Sequence, residues 1–133
     1  MSAMGRWGLT ILRVVVGVVF LAHGAQKLFV FHFAGTAGFM GQAGFPLPFV
    51  CAVIVTLVEF LGGIALILGL LTRLAAGLNA IDMVVAILFV HLKNGFSAQH
   101  MGYEYPLTLL AATLCLVLAG AGAAAVDDII FKS

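Results

Sequence analysis

Charge is what this chain most lacks. Only 8% of its 133 residues are charged, against about a quarter in a soluble globular domain. Hydrophobic residues make up 64% and the mean hydropathy is +1.25. Water cannot solvate an exterior of that composition, so the exterior must be lipid. The net charge is +1 with no basic run, which argues against nucleic acid as a partner. There are two cysteines, Cys51 and Cys115, and no CxxC. The two fall at different predicted depths, so no disulfide between them is expected, and both read as small apolar fillers. None of the four histidines stands in an HxxxH or HxxE spacing, so the sequence indicates no metal site. Repeats, low-complexity tracts and linkers are missing too, which leaves a single domain over residues 1–133 and no room for a soluble one.

What is present is four apolar stretches, Trp7 to Val30, Phe49 to Leu71, Leu74 to Leu92 and Pro106 to Ala125. Each is near the roughly 20 residues that a helical membrane span needs. The expected fold is all-α: a polytopic membrane protein built as an antiparallel four-helix transmembrane bundle. Phe31 to Pro48, uncharged and rich in glycine and phenylalanine, reads as a short interfacial or re-entrant segment between the first two spans. Pro46 and Pro48 suit entry to the second helix. The connection Leu71, Thr72 and Arg73 is so short that the second and third spans must be antiparallel neighbours. In the third connection, Lys93 to Tyr105, Tyr103 and Tyr105 suit the headgroup belt.

Arg6, Arg73 and Lys132 mark one membrane face, with Arg13 nearby, and Lys27 and Lys93 mark the other. The bias puts both termini in the cytoplasm and the long connections outside. A cleaved signal peptide ending near Ala22 to Ala25 is the competing reading. Arg13 interrupts its apolar region and the stretch continues past Ala25, which favours an uncleaved span.

At 100° per residue the polar positions fall on faces with small residues. Arg13, Gly17, Phe20, Gly24 and Lys27 share a stripe on the first span, with His23 at its edge. Ala52, Thr56, Glu59, Gly63 and Leu66 share one on the second. Asn79, Asp82, Ala86 and Phe89 do so on the third, and Glu104, Thr108, Ala111, Cys115 and Gly122 on the fourth. Small residues let helices approach closely in lipid, and a charge at the bilayer centre costs at least about 2.5–3.5 kcal/mol. The four faces are therefore expected to meet in a polar seam. Arg13 and Asp82 each lie about 15 Å of helix from the same end, which makes them a candidate buried ion pair. Glu59 lies nearer mid-membrane with no equally deep base; unpaired, it would be neutral and able to exchange a proton. Lys27 and Glu104 fall near the outer boundary, where pairing, snorkelling and a helix-start role are all open. His23, His32, His91 and His100 all fall on the outer half, with His91 pointing away from Asp82, and read as interfacial.

The residues also carry a resemblance. Leu12 to Phe29 (LRVVVGVVFLAHGAQKLF) resembles the opening span of the DoxX family. Gly44 to Pro48 (GFPLP), then Glu59 with Gly62 and Gly63, resembles its second segment, and Leu68 to Ala76 (LGLLTRLAA) its short turn. Gly102 to Ala112 (GYEYPLTLLAA) and Ala119 to Asp128 (AGAGAAAVDD) resemble its last span and tail. Together these cover nearly the whole chain. The family comprises small four-span bacterial and archaeal membrane proteins. Its name comes from an archaeal terminal oxidase, and a related group forms the membrane part of thiosulfate:quinone oxidoreductase. The resemblance implies a redox link and contact with quinone, with His23, Lys27, Glu59 and Glu104 at the matching positions. Cys51 and Cys115 do not form the thiol pair expected of a thiosulfate enzyme.

Three functions are consistent with these readings. The first is a quinone-interacting membrane subunit in the bacterial or archaeal inner membrane, with a polar pocket opening outward and a redox protein as electron donor. The second is a carrier for a small solute or proton, which with four spans would need a homo-oligomer. The third is a non-catalytic scaffold for a partner protein. Whether the chain is itself an enzyme is not decided by its sequence.

Overall fold

The computed structural model describes residues 1–131; Lys132, one of the residues used to orient the chain, lies outside the described residues. Helix α1 runs Ala3–Ala25 and continues through a wider π-helical turn, Gln26–Val30. It begins where Ser2 Oγ accepts from Gly5 N–H at 3.0 Å, a side-chain cap for an otherwise unpaired donor. The segment between the first two spans folds as helix α2, His32–Gln42. Helix α3 is Pro48–Leu68, with proline in the first turn, where the missing N–H costs nothing. It ends at Gly69, whose φ of 70° permits the left-handed cap, and Leu70 N–H closes back on the Ala65 carbonyl at 2.8 Å. Helix α4, Thr72–Ala86, follows at once and continues through a second π-helical turn, Ile87–His91. Helix α5 is Glu104–Ala119 and a short α6 is Val126–Ile130. There is no strand among the described residues.

The distribution of side chains is that of a protein in lipid. Ile11 and Val15 of α1, Leu57 and Leu61 of α3, Ile81 and Leu88 of α4, and Leu114 and Leu118 of α5 are exposed, whereas Arg13, Thr56, Glu59, Asn79, Asp82 and Thr113 are buried. Three helices are long and apolar enough to cross a membrane, and α5 is a shorter apolar helix. At 16 residues α5 spans about 24 Å.

The faces expected on α1 and α3 are the ones that pack. An added side chain at Gly17 would meet the Gly63 carbonyl and the Ile67 backbone, one at Gly24 the Phe60 backbone, and one at Gly63 the Leu21 backbone. The two antiparallel helices thus touch main chain to main chain, the close approach that small residues allow in lipid. On the other side of α3 the approach of Gly62 is filled by Asn79, whose Nδ2 donates to the carbonyls of Ala75 (2.9 Å) and Val58 (3.3 Å). Val16, Phe20, Leu66, Ala76, Met83, Leu109 and Leu116 complete the apolar core.

The fourth helix departs from expectation twice. Thr108, Ala111 and Cys115 face outward, and Leu109, Thr113 and Leu116 face the core. Both faces of α5 are apolar, so spacing alone does not choose between them. Thr108 satisfies its hydroxyl on the Glu104 carbonyl at 2.9 Å, so it can face lipid at little cost. Also, α5 ends at Ala119 rather than Ala125. Gly120, with φ of 86°, breaks the helix, and residues 120–125 are non-helical.

That non-helical tail explains Arg13. The guanidinium does not pair with Asp82. Its Nε donates to the Ala121 carbonyl (2.9 Å), Nη1 to Leu66 and Ile67 (both 3.0 Å), and Nη2 to Ala123 and Ala124 (both 3.1 Å). All five N–H donors of the side chain are used. The acceptors are the end of the α3 ladder and the tail, carbonyls without helical partners, and the α3 terminus adds the negative end of its dipole. The tail is tied further by Thr10, whose Oγ1 donates to the Ala123 carbonyl (2.7 Å) and accepts from Ala123 N–H (2.9 Å). Asp127 accepts from the N–H groups of Leu71 (2.6 Å) and Thr72 (2.9 Å), capping α4.

Candidate ligand cavity beneath the second helix

At the opposite end of the bundle from the termini, the helices diverge around a cavity of about 230 Å³. Its charged wall comes from three helices. Lys27 lies in the π-helical turn of α1, one turn beyond Gly24, where α1 and α3 are in main-chain contact. That closeness brings Lys27 Nζ to 2.7 Å from Glu59 Oε1. The glutamate side chain is 5% exposed and the lysine 25%, so the acid is deep and the base is at the mouth. Asp82 lines the same cavity from α4, and its Oδ2 is buried without a partner. The remaining walls are apolar or aromatic, including Phe20, Phe39, Met40, Phe45, Val55, Met83 and Leu109.

Helix α2 is the roof. Thr36, Phe39 and Met40 line the cavity, and Thr36 Oγ1 is a second buried polar atom with no partner. The connection after α2 is pinned to α4 by Phe45 on Phe89, ring centres 4.5 Å apart and stacked. Around the rim, His23 Nε2 lies 3.5 Å from the Tyr105 hydroxyl. His91 Nδ1 lies 2.8 Å from the Met101 carbonyl. Since a carbonyl only accepts, Nδ1 carries the hydrogen and Nε2 is the free acceptor.

Of the residues expected to bind a ligand, His23, Lys27 and Glu59 line the cavity and Glu104 does not. Lys27 takes Glu59 rather than Glu104 as its partner. Glu104 stands in the first turn of α5, the end of a helix where a negative charge is favoured. Asp82 belongs to this cluster, not to Arg13. His91, expected to point away from Asp82, lines the same cavity. The reason is the π-helical turn. Nine residues at 100° each put His91 about half a turn from Asp82, but a π turn consumes about one extra residue and swings it back by about 100°. The hydrogen bond from Leu92 N–H to the Ile87 carbonyl is the signature of that widening. Thr36 and Tyr105 were also outside the expected site, since neither carries a charge inside a predicted span. Among the described residues no three His, Cys, Asp or Glu side chains gather as a metal set.

An apolar-surfaced helical bundle with a cation and two carboxyls buried between its helices defines a polytopic membrane protein. The family model DoxX matches residues 8–92, and the chain belongs to the DoxX family. The match spans Lys27, Glu59, Asp82 and His91 and stops before α5. Among similar proteins, an "Uncharacterized protein" of Haemophilus influenzae is 39% identical over 127 residues, covering 93% of this chain and 91% of the relative. "Putative oxidoreductase CatD" of Bacillus subtilis is 34% identical over 125 residues, covering 94% and 88%. "Inner membrane protein YqjF" of Escherichia coli is 31% identical over 129 residues, covering 94% and 93%. No solved structure matches the chain.

Proposed function

We propose that this protein is a quinone-interacting, redox-associated membrane subunit, and that the cavity under α2 holds the quinone ring. One observation carries the reading: a chamber with apolar and aromatic walls contains two buried oxygens without partners, Thr36 Oγ1 and Asp82 Oδ2, beside the Lys27–Glu59 pair. Such oxygens stay unpaired in a native interior only at a cost of about 1–3 kcal/mol each, and a carbonyl-bearing ring would satisfy a hydroxyl there. The volume of about 230 Å³ is below the usual range for whole drug-sized ligands, so it suits a ring whose apolar tail lies in lipid. A bound quinone supplies reversible uptake of electrons and protons. The chain's own part is to seat the ring between Phe20, Phe39 and Met83, to offer hydrogen bonds from Lys27 and Thr36, and to exclude bulk water with α2. The name given to the Bacillus subtilis relative accords with a redox role, and electrons would come from a redox protein partner. Arg6, Arg13 and Arg73 all sit at the end that holds the termini, which supports a cytoplasmic placement of that end in the inner membrane.

The test is quinone content and quinone response. The purified protein should carry co-extracted quinone, and a short-tailed benzoquinone such as ubiquinone-1 should raise its Tm, an effect lost in Lys27→Met. Absence of both from the wild-type protein would overturn the proposal. A second reading, a proton or small-solute carrier, is favoured by two carboxyls, Glu59 and Asp82, buried within the bundle. It predicts liposome flux that falls in Glu59→Gln, and unchanged flux would remove it.

A further inference from the structure

We propose that Glu59 and Asp82 form a carboxyl pair holding one exchangeable proton, and that Asp82 presents this proton to the cavity. The inference rests on reading the cavity as a ligand site and adds the acid that such a ligand would meet.

Three observations lead to it. First, both carboxyls are buried and line one cavity, Glu59 from α3 and Asp82 from α4. Second, the local charge count calls for that proton. The groups facing Asp82 are Lys27 and His23 from α1, Glu59 from α3, His91 from its own helix and Tyr105 from α5; α2 contributes only the neutral Thr36. Lys27 is already committed to Glu59 at 2.7 Å. His91 donates its Nδ1 hydrogen to a backbone carbonyl, and His23 lies at the rim against Tyr105. One ammonium against two carboxyls is neutral only with one proton on the pair, and a buried excess charge in a low-dielectric setting is strongly disfavoured. Third, the two acids differ in commitment. Glu59 is held by the lysine, whereas Asp82 lines the cavity and its buried Oδ2 has no protein partner.

The step this allows is a plain proton exchange. When the redox partner has reduced the ring, the O–H bond of the Asp82 carboxyl breaks as an O–H bond forms on the negatively charged ring oxygen, and the charge that leaves the ring passes to the Asp82 carboxylate, beside Glu59 and Lys27. In reverse, a ring hydroxyl returns its proton to Asp82. Glu59 is a positioning residue, holding Lys27 and completing the pair. The ligand class this favours is a ring that is neutral when oxidised and whose oxygen takes up a proton on reduction.

Infrared spectroscopy of the full-length protein in lipid reads the proton directly, through the C=O stretch of a protonated carboxylic acid. The wild-type protein should show such a band, it should shift on exchange into heavy water, and it should disappear in Asp82→Asn and return at a changed frequency in Asp82→Glu. Ubiquinone-1 should displace the band. Absence of the band, its failure to exchange, or its survival in Asp82→Asn would overturn the inference, and Asp82→Glu guards against a fold defect in the asparagine variant. Failure of ubiquinone-1 to bind a protein that shows the exchangeable Asp82 band would overturn the quinone reading alone. Binding that leaves the band unmoved would overturn the exchange with ligand.

Discussion

Arg13 and Lys27 stand about four turns apart on one face of α1, yet their surroundings differ in kind. Arg13 is 1% exposed and spends every donor on a backbone carbonyl. Nothing is left over for a ligand, and the arrangement locks the tail against α1 and α3. Lys27 meets a single carboxylate oxygen, opens to the outside, and has beside it two buried oxygens that no protein group satisfies. A closed polar network rigidifies the end of the bundle it occupies, whereas an open one is equipped to exchange partners. Two cations on one stripe of the same helix are therefore closed off by backbone at the terminal end and left open at the far end. What decides is whether the chain itself completes the hydrogen bonding.

The comparison can be broken from either end. The largest effect is expected from Arg13→Leu, which removes five hydrogen bonds to backbone carbonyls and should destabilise the protein by more than about 3 kcal/mol, measured by unfolding in lipid or detergent. Arg13→Lys should recover only part of this, because an ammonium cannot reproduce the planar fork. Next is Gly24→Leu, which drives a side chain into the Phe60 backbone and should cost about 1–3 kcal/mol while pulling Lys27 from Glu59. Gly8→Leu, where nothing lies within 4 Å, should leave stability nearly unchanged in the same assay. Lys27→Met should cost less stability than Arg13→Leu, since the lysine is partly exposed, but should weaken ubiquinone-1 binding at least about tenfold, or about 1.4 kcal/mol. The smallest effect belongs to Glu104→Gln. It removes a charge that does not line the cavity and should change stability by no more than about 0.5 kcal/mol and binding not at all.

The helix faces were legible wherever polarity was unevenly spread. On α3 the stripe from Ala52 to Leu66 read at 100° per residue is the set of residues that is buried, and on α1 Arg13, Gly17, Phe20 and Gly24 are buried together with Thr10 and Val16. The face of α5 was not legible, because its apolar residues surround the helix and its threonines bond their own backbone. The partners of Arg13 are not legible for another reason. Backbone carbonyls have no letter in the sequence, and only the pair Gly120 and Gly122 hinted that a helix end would present them. His91 was misplaced because a π-helical turn has no simple residue signature and shifts the phase of everything beyond it. Depth alone pairs Asp82 with Arg13, whereas the structure places Asp82 in the cavity that Lys27 and Glu59 line.

The difference between the two cations is tested most directly by the rise in Tm that ubiquinone-1 produces in Arg13→Lys and in Lys27→Met, measured side by side in the same lipid. A ligand that binds the folded protein raises Tm according to its affinity. Arg13→Lys should show a lower starting Tm but a wild-type rise, and Lys27→Met a smaller loss of Tm with little or no rise. A full rise in Lys27→Met together with no rise in Arg13→Lys would contradict that difference.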